Sequence, residues 1–129
     1  MIFSLAIYAP PSSQASNSAY QFARAVLEQE HSLYRLFFYH DGVYQGSDLI
    51  CTPQKEFDLF GAWKKLQEEH EIDIVFCIAA SLKRGMIDLD ESSRYEKKTF
   101  NLNEKFELSG LGQLLDASVM SDRIVTFGG

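Results

Sequence analysis

The chain has two thiols, Cys51 and Cys77, and a thiol is the side chain whose reactivity depends most on where the fold puts it. Cys77 lies near the carboxyl end of an apolar run, residues 72–78 (IDIVFCI). The small-residue stretch Ala79, Ala80, Ser81, Leu82 follows it and leads into Lys83, Arg84 and Gly85. A free cysteine titrates near pH 8.5, which leaves about 3% thiolate at neutrality, and a helix N-terminus or nearby cations bring that value down toward ~7 or lower. Lys83 and Arg84 would supply those cations from the next turn, or else serve as a solvated C-terminal cap. The chemistry this arrangement fits is nucleophilic sulfur. The plainer reading is a small hydrophobe inside a strand.

Other chemistries find less support. Cys51 precedes Thr52 and Pro53 in a loop and reads as an incidental surface thiol; a disulfide to Cys77 would need the two Cα atoms within about 7 Å. His31, His40 and His70 are scattered, with no cysteine at ligand spacing, and read as surface or loop residues rather than bases or metal ligands. No GxSxG elbow exists for a serine nucleophile. The loop APPSSQASNS lacks the glycines that let backbone approach a phosphate, and its Ser16 and Asn17 read as helix caps. Neither a cofactor nor a metal is expected. The formal charge of -6 argues against autonomous nucleic-acid binding. The apolar start, residues 2–8, lacks a basic flank and meets Pro10 too soon for a signal peptide or a membrane span, so a cytoplasmic protein is expected.

These groups need a scaffold, and the hydropathy pattern supplies one. Residues 2–8 (IFSLAIY), 33–39 (LYRLFFY), 72–78 and 123–127 (RIVTF) are short apolar or β-branched runs that read as strands. Ala15, Ala19, Phe22, Ala23, Val26 and Leu27 recur at helical spacing between the first two. Phe57, Phe60, Trp63 and Leu66 do so before the third, with Glu56 and Asp58 in that helix's first turn. Residues 40–53 carry Gly, Ser and Asp and read as a loop, 88–98 as a charged helix and 109–119 as a further helix. Alternating strands and helices predict an α/β fold: a three-layer α/β/α sandwich with a mostly parallel sheet of about five strands and the 72–78 strand at its centre. Ligands gather beyond the carboxyl ends of such strands. Three loops, residues 9–15, 40–53 and 79–85, converge there.

Several segments in this order, QFARAVLEQEH, FFYHDGVY, EFDLFGAWKKLQEEH, CIAASLKRGMID and FELSGLGQLLDASVMSDRIVTF, resemble the DsrE-like sulfur-relay family over residues 2–127. The resemblance implies a single DsrE-like domain over residues 1–129. It implies that Cys77, at the motif position in CIAASLKRG, carries sulfane sulfur as a persulfide. The sulfur would come from a TusA-like donor and go to a TusE-like acceptor, toward 2-thiolation of a tRNA wobble uridine. The subunit would work in a hetero-oligomer with TusB-like and TusC-like sister subunits, without touching nucleic acid or membrane. Cys51 matches no position of the pattern. Six of the 12 basic residues fall between residues 83 and 105, which fits docking of an acidic protein surface near Cys77 or simply a solvated helix. Two other readings stay open: a non-catalytic assembly subunit, and a small-molecule or nucleotide-binding α/β module.

Overall fold

The computed structural model describes residues 1–128. In chain order the elements are β1 (Ile2–Ile7), α1 (Gln14–Glu28), β2 (Ser32–Phe38), a 3₁₀ turn (His40–Gly46), α2 (Leu59–His70), β3 (Asp73–Cys77), α3 (Ile78–Lys83), α4 (Leu89–Arg94), β4 (Glu107–Ser109), α5 (Gly112–Met120) and β5 (Arg123–Phe127). The five strands form one sheet in the order β4-β3-β2-β1-β5, and every pairing is parallel. The chain steps one way across the sheet from β1 to β4, then returns to the far edge beyond β1. Right-handed crossovers therefore put α1 and α2 on one face and α5 on the other. Side chains agree: Phe38 meets Trp63 of α2 edge-on at 5.6 Å, while Arg35, on the opposite face of β2, reaches α5. This is the α/β/α sandwich expected.

The core is centred on β2, where Leu36, Phe37 and Phe38 are fully buried, and Phe38 stacks on Phe76 of β3 at 4.6 Å. Burying each such aromatic contributes roughly 1.5–3 kcal/mol. The strand expected at the centre, β3, is interior but not the middle one. Its outer neighbour β4 is a three-residue edge strand, ELS, whose sequence has no apolar run to announce it.

Several element ends also differ from the sequence reading. Helix α1 is capped by Ser13, whose Oγ accepts from the Ser16 backbone N–H at 3.2 Å. Ser16 itself is buried inside the first turn and donates to the Ala9 and Pro10 carbonyls. Asp58 is the cap of α2, accepting from Gly61 N–H at 3.1 Å, so Glu56 lies outside the helix and Phe57 is exposed. The first half of the expected 40–53 loop is the 3₁₀ turn, with Val43 and Gln45 buried. The expected 88–98 helix is only α4, and Glu96 beyond it has a left-handed backbone (φ 56°). The expected helix from residue 109 starts at Gly112, because Glu107–Ser109 pairs with β3. Among the described residues no helix is long and apolar enough to cross a membrane.

Candidate functional site

The register of β2 on β3 pairs Phe38 with Phe76, so the residues that follow, Tyr39 and Cys77, emerge at adjacent strand ends. Cys77 is the last residue of β3 and the residue from which α3 starts. Its side chain is 2% exposed, yet it lines a pocket of about 290 Å³ with Tyr39, His40, Ala79, Ala80, Lys83, Arg84 and Leu111. That volume is at the small end of ligand sites, which run roughly 300–1,000 Å³. It suits the end of a side chain or a small thiol better than a nucleotide.

Each wall is fixed by a local cause. Beyond β2 the chain turns sharply, with His40 in the left-handed region (φ 54°) and Tyr39 N–H donating to the Ile7 carbonyl at 2.9 Å. Gly42 is required just after, since a Cβ there would overlap the Ile7 carbonyl oxygen. The α3 wall ends at Gly85, also left-handed (φ 75°). Arg84 donates through Nε to Asp41 Oδ1 at 2.9 Å and through Nη1 to the Ala80 carbonyl at 3.2 Å, tying α3 to the 3₁₀ turn. His40 Nδ1 lies 3.7 Å from the same Asp41 oxygen. Lys83 is exposed and has no ion pair among the described residues.

Leu111 enters from the α5 side, and α5 is held in place by Arg35. The Arg35 guanidinium donates to Asp73 at 2.7 Å, to the Gln113 carbonyl at 2.8 Å and to Asp116 at 2.9 Å. Burial alone would lower the Arg35 pKa, but the hydrogen bonds to Asp73 and Asp116 outweigh it and hold the pKa above its ordinary value. Tyr34 O–H and then Arg35, both donating to Asp116, hold that carboxyl below its ordinary value. A second, largely apolar hollow of about 410 Å³ adjoins the Cys77 pocket, sharing Tyr39 and His40 and adding Ala6, Tyr8, Leu114 and Thr126.

The structure thus brings Cys77, Lys83 and Arg84 to one pocket. Cys51 is apart from it, exposed beside Pro11, Ser12 and Phe57, and both cysteines are free. His31 contacts the amino terminus (Nδ1 to N, 3.0 Å) and His70 closes α2. Of the three histidines only His40 reaches the Cys77 pocket. It is exposed, as a surface residue should be, and the sequence does not reveal that the strand before it, β2, lies next to that of Cys77. Ser13 and Ser16 are spent on capping and internal hydrogen bonds. No cluster of metal-ligating side chains occurs among the described residues.

The model of the DsrE/DsrF-like family matches residues 1–127. The chain belongs to that family. Among curated relatives, the putative sulfurtransferase DsrE of Allochromatium vinosum is 47% identical over 119 residues, 92% of each chain. The sulfurtransferase TusD homolog of Pseudomonas aeruginosa is 46% identical over 129 residues, covering 100% of this chain and 98% of its own. The TusD of Photorhabdus laumondii is 46% identical over 114 residues, 88% and 87% of the two chains. The sulfurtransferase class read from the sequence is therefore that of relatives matched along nearly the whole chain. Among solved structures, the ychN protein of E. coli superposes with a TM-score of 0.72 at 23% identity, over 98% of this chain and 97% of that one, a likeness of fold.

Proposed function

We propose that this protein is a TusD-like sulfur carrier that accepts sulfane sulfur on Cys77 as a persulfide and hands it to a second thiol. The observation that carries the reading is the position of Cys77: at a strand end, in a pocket of its own with two basic residues at the rim. The Cys77 thiolate attacks the outer sulfur of a donor persulfide, R–S–SH. One S–S bond forms, the donor's S–S bond breaks, and the donor leaves as a thiol once protonated. An acceptor thiolate then attacks the outer sulfur of Cys77–S–SH in the same way and frees Cys77. The exchange conserves its electrons, so no oxidant, metal or organic cofactor enters it.

Burial of Cys77 limits attack by small oxidants, and the pocket it lines is the approach for a partner's sulfur in this reading. In this reading the donor is TusA-like, the acceptor TusE-like, and TusB-like and TusC-like sister subunits complete a cytoplasmic hetero-oligomer that feeds tRNA 2-thiolation. Intact-mass measurement after incubation with a persulfide donor tests the carrier role. A gain of about 32 Da, one sulfur atom, on the wild type and none on Cys77→Ser is expected. Equal gains on both would defeat the assignment, and no gain on either, with sister subunits present, would leave an assembly subunit.

A further inference from the structure

We propose that His40 is a second catalytic residue of this pocket, the group that moves the proton during sulfur exchange at Cys77; the inference rests on Cys77 being the sulfur carrier. The net exchange, Cys77–SH plus R–S–SH giving Cys77–S–SH plus R–SH, requires one proton to leave Cys77 and one to reach the departing sulfur. The residues lining the pocket with Cys77 are Tyr39, His40, Ala79, Ala80, Lys83, Arg84 and Leu111. Arginine does not deprotonate in proteins, and lysine and tyrosine ordinarily titrate near pH 10. Imidazole is the one group among them, apart from the thiol, whose ordinary range spans neutrality.

The placement of His40 is also specific. It bears a left-handed backbone that side-chain-bearing residues adopt uncommonly, and this conformation turns the chain at the wall shared by the Cys77 pocket and the adjoining hollow. Its Nδ1 lies 3.7 Å from Asp41 Oδ1, too far for a hydrogen bond but within reach of its charge, and Arg84 holds that oxygen at 2.9 Å. A carboxylate beside Nδ1 favours the tautomer protonated there and leaves Nε2 as the basic nitrogen. The titratable or charged groups around the imidazole are Asp41 on its own turn, Tyr39 and Tyr8 at the ends of β2 and β1, Cys77 on β3, and Lys83 and Arg84 at the end of α3. From α5 and β5 come Leu111, Leu114 and Thr126, which carry no charge. In the forward step Nε2 takes the Cys77 proton, the thiolate attacks the outer sulfur, and the imidazolium returns that proton to the leaving RS⁻.

Glutathione persulfide serves as the probe donor, with the initial rate of Cys77 persulfide formation followed by quenched mass spectrometry between about pH 5.5 and pH 9. His40→Asn tolerates the left-handed backbone and is expected to react about 100-fold more slowly and to lose the limb of the pH profile that the imidazole sets. His40→Gly suits the same φ, and added imidazole is expected to restore part of its rate, a response that a purely structural histidine would not give. A His40→Asn enzyme within twofold of wild type with an unchanged pH profile, or a His40→Gly enzyme indifferent to imidazole, overturns the proposal. Cys77→Ser separates the two readings: sulfur uptake that persists there removes the carrier role itself, whereas uptake lost there but normal in both His40 variants removes only the role of His40.

Discussion

Arg84, which lines the Cys77 pocket, donates through Nε to Asp41 Oδ1 at 2.9 Å. The two basic residues that follow Cys77 in sequence are therefore not equivalent. Arg84 is a strut, with its charge matched by Asp41 and its Nη1 on the Ala80 carbonyl. Lys83 is exposed and lines the same pocket without an ion pair among the described residues, so its charge is the one left unmatched.

Replacing the two residues separates these roles. Lys83→Glu is expected to slow sulfur transfer from a protein donor by on the order of 5-fold at low salt, with the difference fading as ionic strength rises, because rim charges act mainly on association. Its melting temperature should not change. Arg84→Glu sets two carboxylates against each other at a half-buried site, costing about 1–2 kcal/mol, and its rate defect should persist at high salt. Transfer rates at two salt concentrations, paired with thermal melts, check both. Salt-insensitive Lys83→Glu kinetics would end the docking role.

What the sequence disclosed and what it hid follow from the range of the interactions. The runs IFSLAIY, LYRLFFY and IDIVFCI were legible as strands because burial on a parallel sheet demands continuous apolar residues, and RIVTF, an edge strand without a fully buried residue, through its β-branched residues. Helix α1 was legible from its 3.6-residue period. Cys77, Lys83 and Arg84 were legible together because they share one stretch of chain. Strand β4 was hidden, since ELS becomes a strand only through Val75, Phe76 and Cys77 beside it. The 3₁₀ turn was hidden because HDGVYQG is held by tertiary hydrogen bonds, including Asn103 N–H to the Gly46 carbonyl. Tyr39, His40 and Leu111 could not be assigned to the Cys77 pocket without the strand order and the position of α5, neither of which has a local signature.

A buried amide in the 3₁₀ turn gives a second prediction. Gln45 Nε2 donates to Ser16 Oγ at 2.8 Å and to the Ala9 carbonyl at 3.1 Å, while its Oε1 accepts from Trp63 Nε1 at 2.8 Å. One side chain thus joins the loop after β1, the 3₁₀ turn and α2, the first two of which flank the strand ends. Gln45→Leu would leave the buried Trp63 indole N–H without a partner and take one bond each from Ser16 Oγ and the Ala9 carbonyl, which keep their bond to each other, at a cost of about 3 kcal/mol, read as a fall in Tm on the order of 10 °C. Trp63→Phe removes only one of the three bonds and should cost clearly less. Equal losses in the two variants would mean that packing, not the shared amide, holds the loops.

The Arg35 cluster predicts a particular dependence of stability on pH. Hydrogen bonds from Tyr34 and then Arg35 hold the folded Asp116 carboxyl below its ordinary value of 3.8. Its stabilisation is therefore present above that value and lost as pH falls through the folded one. Tyr34 is shifted the other way: its hydrogen bond to Asp116, with burial second, raises it above its ordinary 10.0. Its contribution is present below that value and lost as pH rises through the folded one. The difference in Tm between wild type and Asp116→Asn should then form a plateau across neutral pH, shrinking below about pH 4 and above about pH 10. Taking the difference cancels the Glu68–Lys105 pair, which also holds a carboxyl low and would otherwise mimic the acid limb. The same substitution should open the Cys77 pocket, because Asp116 and the Gln113 carbonyl are where Arg35 grips α5, whose N-terminal neighbour Leu111 forms one wall. Faster alkylation of Cys77 in Asp116→Asn at neutral pH is the expected result, and an unchanged rate beside a lowered Tm would show that the clamp supports the sheet without setting access to the sulfur.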